Sequence, residues 1–217
     1  ENAYTLAKKY GVKLAWGTDL LFSPSNARNQ NLNIEKMTRC LSSLLKNIAK
    51  GTQDKITVQE ELALLHDYVE IQSVRYMEAF SFDDQVPQEL YRYHIIKLTL
   101  QPLVENAIKH AMPSEGKLTI TVKADADGDD VVIVVSDDGV GMTEETCANI
   151  TQVESSTGLG IAVKNVHDRI VGFFGPNSYM DVQSELGVGT TVTLFLEGCA
   201  AQTKSQVAAS DAETLRR

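Results

Sequence analysis

The sequence predicts a two-layer α/β sandwich, one mixed sheet with helices on one face, preceded by a helical hairpin. Three observations predict it. Short alternating β-branched runs come in pairs, Leu118–Ala124 with Val131–Ser136 and Tyr179–Ser184 with Thr191–Leu196, which reads as antiparallel hairpins. Segments with apolar residues at helical spacing stand between them, so helices and strands alternate irregularly. Upstream, Ile34, Met37, Leu41, Leu44 and Ile48 recur at spacings of three and four, a heptad seam.

The chain of 217 residues suits one domain with a helical appendage. At this length a single core buries roughly 70% of the extended chain's surface, so neither disulfides nor metals are needed for stability. Twenty Lys and Arg against twenty-nine Asp and Glu give a formal charge of −9, which argues against a dedicated nucleic-acid binder. Cys40, Cys147 and Cys199 are odd in number and far apart. They suggest no disulfide framework and fit a reducing compartment. No apolar run approaches the ~18 residues of a membrane span.

Taken in order, residues 1–27 read as a unit apart. A strand-type run, KYGVKLAWGTDLLF, ends in the turn-rich SPSNA, and Ser25-Asn26-Ala27 looks like the scar of a cleaved affinity tag. The preferred reading is a foreign leader, with an authentic linker as the alternative; a lone Asp19 cannot make a metal site. Residues 28–79 form the expected hairpin. Its first helix carries the heptad seam and stops near Gly51. Its second opens at Thr57-Val58-Gln59-Glu60, a capping box, and runs through Leu62, Leu65, Val69 and Tyr76. Such helices serve either to cover the domain's own core or to self-associate, and the regular seam favours a homodimer.

The main domain is expected over 80–197. Residues 80 to 90 read as a short strand and turn punctuated by Pro87. A helix follows across Ile96–Ala111, turning Leu98, Leu103, Val104, Ala107 and Ile108 inward. Pro102 belongs in its first turn, which pushes the true start beyond the beginning of the apolar run. Asp125–Asp130, between the first two paired strands, places acids at alternating positions. Gly128 is fourth rather than sixth, however, and Ser136 stands where a calcium loop needs a bidentate Glu, so this is a solvated hairpin turn. Helices over Glu144–Ile150 and Ile161–Phe174 flank a polar stretch, Thr151–Thr157. Residues 198–217 are small and polar, the composition of a disordered tail.

Four segments carry chemistry. In Leu100–Ala111, Glu105, Asn106, Lys109 and His110 interrupt an apolar helix; Asn106 neighbours Lys109 and His110, and Glu105 pairs with Lys109. An amide oxygen with water can hold Mg²⁺, and Lys or His meets phosphate oxygens. In Val134–Met142 a hydrophobic strand ends in Asp137, followed by Gly139 and Gly141. The carboxylate can accept a hydrogen bond from an exocyclic amine such as that of adenine, and glycines let backbone approach a flat ring. Ser156–Ile161 opens a helix with Gly158 and Gly160, amides suited to an anion. It lacks the third glycine of a dinucleotide fingerprint and the Gly-Lys-Ser/Thr of a Walker motif. Ser184–Thr191 is a glycine turn that places the Thr190 hydroxyl before the last strand. Each segment alone has a plain structural explanation.

Their order is far more specific. Polar helix, strand with DxGxG, lid, GxGI-helix and GxGT-strand resemble the ATP-binding domain shared by sensor histidine kinases, type II topoisomerases, Hsp90-class chaperones and mismatch-repair ATPases. Within that superfamily LQPLVENAIKHA resembles the asparagine box of LytS-type sensor histidine kinases. VQEELALLHDYVEIQSVRY resembles their run before the catalytic domain, and GLGIAVKNVHDRI their second glycine box. The resemblance spans roughly 34 to 197. It implies that Asp137 binds the adenine amine, with Gly139 and Gly141 shaping the floor of the ring's site and Thr190 closing it. Asn106 would coordinate Mg²⁺ bridging the phosphates, and Lys109 and His110 would contact phosphate oxygens. Gly158, Leu159 and Gly160 would present amides to the phosphates, with residues 142 to 157 as a mobile lid. Glu105 would assist proton removal from the acceptor histidine. ATP, Mg²⁺, a phospho-acceptor histidine region and a response regulator are the implied ligands and partners. The implied location is the cytoplasmic portion of a membrane-anchored bacterial receptor.

One departure matters. These kinases carry their acceptor histidine in a Pro-His-Phe-Leu-Phe-Asn segment, and none of His66, His94, His110 or His167 lies in one. The expectation is a truncated catalytic region that binds ATP without phosphorylating itself, its acceptor lying elsewhere. Alternatives are a clamp-type ATPase and a non-catalytic nucleotide-binding module. The clamp ATPases place a water-activating Glu four residues before the Asn, where this chain has Pro102, which cannot act as a base.

Overall fold

The computed structural model describes residues 55–77, 79–150 and 158–200. The expected leader, the heptad helix with its stop at Gly51, the polar stretch Thr151–Thr157 and most of the tail lie outside these residues.

The chain enters through a short strand β1 (Lys55–Thr57) and passes directly into helix α1 (Val58–Arg75). Thr57 is the N-cap: its hydroxyl accepts from the Glu60 N–H at 3.2 Å while the Glu60 carboxylate accepts from the Thr57 N–H at 2.9 Å. This capping box contributes about 1 kcal/mol. The next two N–H groups are also satisfied, since Val58 and Gln59 donate to the carbonyls of Tyr93 and Tyr91. Tyr76 stands just past the helix as its C-cap rather than inside it.

The main sheet has five strands in the order β2 (Phe80–Gln85), β4 (Leu118–Asp127), β5 (Asp130–Asp137), β7 (Gly189–Leu196), β6 (Tyr179–Glu185). β2 and β4 are parallel and every other pair is antiparallel, so the sheet is mixed as expected. The three central strands alternate cleanly. Leu118, Ile120 and Val122, then Val131, Ile133 and Val135, then Val192, Leu194 and Leu196 are all buried, while their neighbours face outward. That single apolar face receives the helices: α2 (Gln101–His110) packs on β4 and β5, while α3 (Glu144–Ile150) and α4 (Gly158–Phe174) pack on β6. Helix α4 presents Val163, Val166 and Ile170 to the core, and α1 adds Val58, Leu62, Leu65, Tyr68 and Val69 to the same cluster.

One expected element divides in two. Residues 94–96 form a strand, β3 (His94–Ile96), paired antiparallel with β1, and the helix begins only at Gln101 with Pro102 in its first turn. Leu98, expected on the helix's inner face, sits in the intervening turn with a left-handed φ of +59°. The reason lies in two constraints: Pro102 has no N–H and its ring would clash with a helical carbonyl four residues earlier, at Leu98, and β1 offers a pairing edge from about forty residues upstream. Conversely, α4 starts three residues earlier than its periodicity suggests, at Gly158 rather than Ile161.

Candidate functional site

A cleft opens between the helical layer and one end of the sheet. Its helical wall is Leu103, Asn106, Ala107, His110 and Ala111 of α2 with Val163 of α4; its sheet wall is Val135, Asp137, Val182, Thr190 and Val192, with Gly141 and Met142 beside them. The lining is mostly apolar with four polar side chains set into it, the make-up of a site for a planar ligand carrying polar edges.

Sheet register places the polar groups. Asp137, the last residue of β5, lies directly opposite Thr190 of β7, and Thr190 lies opposite Ser184 of β6. The Asp137 carboxylate accepts from the Gly139 N–H at 3.1 Å. Burial holds this carboxyl above the usual carboxylate range, against the lowering effect of hydrogen bonds from the Gly139 and Thr190 amides; nearby Asp138 pushes it up further. Asp138 itself turns away from the cleft: its carboxylate accepts from the Thr119 N–H at 2.6 Å and ties the loop to β4. Of two adjacent acids, one faces the cleft and the other is structural.

The loop after β5 is knit to its neighbours by backbone contacts that only glycine allows. Val140 donates to the Ala111 carbonyl at the end of α2 and accepts from the Gly187 N–H. A Cβ on Gly139 would lie 2.1 Å from the Ala111 oxygen; one on Gly141, whose φ is +62°, would lie 2.0 Å from the Glu185 oxygen. The close approach here is therefore between protein backbones. Gly139 does not line the cleft, whereas Gly141 does.

Ser184 is the residue that sequence reading passed over. Its hydroxyl donates to the Gly189 carbonyl at 2.9 Å, accepts from the Met142 N–H at 2.9 Å and lies 2.9 Å from the Thr190 hydroxyl. It joins the loop after β5 to the β6–β7 turn. A serine beside a glycine hairpin gives no local signal of this role; the sheet register creates it.

The four polar residues of α2 separate into two groups. Asn106 and His110 line the cleft. Glu105 and Lys109 are ion-paired with each other at the partly exposed rim and do not line it. The Asn106 Nδ2 is buried without a hydrogen-bond partner, the one such side-chain atom among the described residues. Leaving a buried donor unpaired costs about 1–3 kcal/mol, and this one stands on the cleft wall, where it is a candidate contact for an acceptor on a ligand. Gly158, Leu159 and Gly160 form the first turn of α4. His66 lies apart on α1, its Nε2 2.9 Å from the Asp84 carboxylate. Cys199 is buried, which pushes its thiol up to about 12 and leaves it a packing group.

A mixed sheet covered on one face by helices carries, at one strand end, a half-buried carboxylate across a cleft from an amide-bearing helix, the arrangement of an α/β domain built to hold a ligand with polar edges. Residues 93–198 match the family described as histidine kinase-, DNA gyrase B- and HSP90-like ATPase. Residues 22–80 match the histidine kinase family. The chain belongs to the sensor histidine kinases and carries their ATPase-type catalytic domain. It is 35% identical over 169 residues to the sensor histidine kinase YesM of Bacillus subtilis, covering 77% of this chain and 28% of that protein. It is 31% identical over 172 residues to the sensor protein LytS of Staphylococcus epidermidis, covering 76% of this chain and 29% of the relative. The chain thus spans under a third of the length of these relatives. Among solved structures, the catalytic domain of histidine kinase ThkA superposes with a TM-score of 0.54 at 17% identity, over 66% of this chain and 96% of that one. The mycobacterial sensor histidine kinase MprB gives 0.52 at 15% identity, over 69% and 99%. At such identities the likeness is one of fold.

Proposed function

We propose that this chain binds ATP with Mg²⁺ and delivers the γ-phosphoryl group to a histidine outside the sequence given, from which it passes to a response regulator. The observation that carries the reading is the pairing of a half-buried carboxylate, Asp137, with the unpartnered side-chain N–H group of Asn106 on facing walls of one cleft. Asp137 accepts from the exocyclic amine of adenine, and the valines and Met142 cover the ring's faces. On the helical wall, Asn106 and His110 meet the phosphate side. Lys109 joins them when it exchanges its partner Glu105 for phosphate oxygens, which frees the Glu105 carboxylate to take a proton from the acceptor. Gly158, Leu159 and Gly160 offer main-chain N–H groups at the start of α4, and residues 142 to 157 serve as the lid.

Among the described residues no cluster of three His, Cys, Asp or Glu side chains can hold a metal. The side-chain oxygen of Asn106 would fit Mg²⁺, which binds through one or two protein oxygens and fills its octahedron with water and substrate phosphates, while the unpartnered Nδ2 would donate to a phosphate oxygen. Asn106 is the protein ligand, and the ion supplies charge neutralisation on the phosphates. Phosphoryl transfer requires positioning and electrostatics more than covalent help, so these few donors suffice. Among the described residues Asp137 is the one acid lining the cleft, and Pro102 stands where a clamp ATPase keeps its water-activating carboxylate, which favours the kinase reading over hydrolysis.

No helix among the described residues is long and apolar enough to cross a membrane. The relatives' status as sensor proteins supports placing this chain in the cytoplasmic part of a membrane-anchored receptor. The heptad positions Ile34 to Ile48 support a homodimer. Titration of ATP, ADP and adenosine with and without Mg²⁺ tests the reading. Mg²⁺ should tighten ATP binding by about tenfold or more and leave adenosine unchanged; equal effects on all three would remove Asn106 from a metal bridge.

A further inference from the structure

The turn between β3 and α2 is held by two charged side chains that the nucleotide site does not use. Glu61, on the buried face of α1 and only 1% exposed, accepts from the Leu98 N–H at 2.8 Å through Oε2 and from the Leu100 N–H at 2.9 Å through Oε1. Arg169 of α4 donates to the other polarity of the same turn, to the Lys97 carbonyl at 2.6 Å and the Leu98 carbonyl at 3.2 Å. Between them Leu98 is kept at a φ of +59°, a conformation a leucine adopts only under constraint. The Thr99 hydroxyl closes the turn locally by donating to the Ile96 carbonyl at 2.7 Å.

This arrangement replaces an ordinary helix cap. Leu100 is the N-cap of α2 and has no side chain able to cap it. A capping-box Glu at the third helical position would receive the Leu100 N–H locally, but Leu103 stands there. Instead a carboxylate from α1 receives the Leu100 N–H, placing negative charge at the positive end of α2, and a guanidinium from α4 holds the carbonyls just before it. Burying a carboxylate is expensive unless its hydrogen bonds are supplied, and here the turn supplies them. Burial still holds the Glu61 carboxyl above its ordinary range, even though the Leu98, Thr99 and Leu100 amides and the Arg169 charge oppose the shift. The start of α2 sets the rotation of everything along it, including Asn106 and His110 on the cleft wall.

We propose that Glu61 and Arg169 are positioning residues which, from α1 and α4, clamp the Lys97–Leu100 turn and thereby fix the angle at which Asn106 meets the nucleotide's phosphates. The consequence for the phosphates rests on the nucleotide reading above. The clamp joins three helices: α1, which follows β1; α2, which bears the amide; and α4, which opens in the glycine segment. A shift of α1 along its axis would then reach Asn106 without passing through the sheet.

The test uses the whole 217-residue chain with Glu61→Gln, which keeps the shape but offers one acceptor, and Arg169→Lys, which keeps the charge but not the fork. Without nucleotide, amide exchange at Leu98 and Leu100 should accelerate about tenfold in Glu61→Gln, and the Asn106 side-chain amide resonances should shift in both variants. By calorimetry, Mg·ATP affinity should fall by about five- to tenfold while adenosine affinity stays within about twofold. Folded variants with unmoved Asn106 resonances would overturn the clamp. So would equal losses for Mg·ATP and adenosine, or failure of both variants to fold, because each marks a purely structural role. A wild-type chain that does not bind Mg·ATP overturns the nucleotide reading instead, and the exchange and resonance measurements still judge the clamp.

Discussion

The hydroxyls of Ser184 and Thr190 lie 2.9 Å apart across the last two strands, and through Ser184 the sheet's final hairpin holds the Met142 N–H of the loop that follows Asp137. Replacing Ser184 with Ala removes an acceptor from Met142 and a donor from Gly189 in a partly buried place. The variant should lose about 1–3 kcal/mol in chemical denaturation and bind adenosine more weakly. Unchanged stability would show that water replaces the hydroxyl at no cost.

Asp137 should make adenine recognition depend on pH in a definite direction. Its carboxyl titrates above the usual carboxylate range, and only the ionised form can accept from the adenine amine without donating. Adenosine affinity should therefore fall as pH drops through the raised value. The nucleotide-free fold should respond oppositely. The native state holds the proton more tightly than the unfolded chain, so stability declines as pH rises from the ordinary range through the raised value. Asp137→Asn should abolish both slopes and weaken adenine-nucleotide binding by about tenfold or more. Calorimetry at several pH values, alongside thermal melts, checks all three.

Gly139 tests whether the loop's glycines serve the ligand or the fold. Because its Cβ would press on the Ala111 carbonyl rather than enter the cleft, Gly139→Ala should destabilise the nucleotide-free protein by about 1–3 kcal/mol. A variant as stable as the wild type but deficient in adenosine binding would reverse that assignment.

Incubation with radiolabelled ATP should leave no acid-labile phosphate on the chain. His66, the histidine on α1, is engaged with Asp84 at 2.9 Å and lies outside any acceptor-type segment. Label mapped to His66 by peptide analysis would contradict this.

The parts of this fold that were readable were those decided within a few residues. The capping box at Thr57 and Glu60 marked the start of α1 because both partners lie within one turn. The two central hairpins were visible because their alternation has period two and their turns are glycine- and aspartate-rich. What escaped was non-local. β3 is a three-residue strand whose last residue, Ile96, reads as the opening of a helix, and only its pairing with β1 makes it a strand. Glu61 carried a signal that was available: it is an acid set on the apolar stripe of Val58, Leu62 and Leu65, and a charge in such a place needs a buried partner. Ser184 carried none. The site followed the same division, with Asp137 and Asn106 legible from motif and helix phase. The withdrawal of Glu105 and Lys109 to the rim depended on how α2 is turned against the sheet.

The parallel pairing of β2 with β4 has a consequence for biosynthesis. β2 occupies one border of the five-stranded sheet, and β4 is its only neighbour there. A ribosome must therefore release the whole of β3 and α2 before β2 finds its mate. Until then the nascent chain exposes an unpaired segment soon after α1, the kind of edge that chaperones shield.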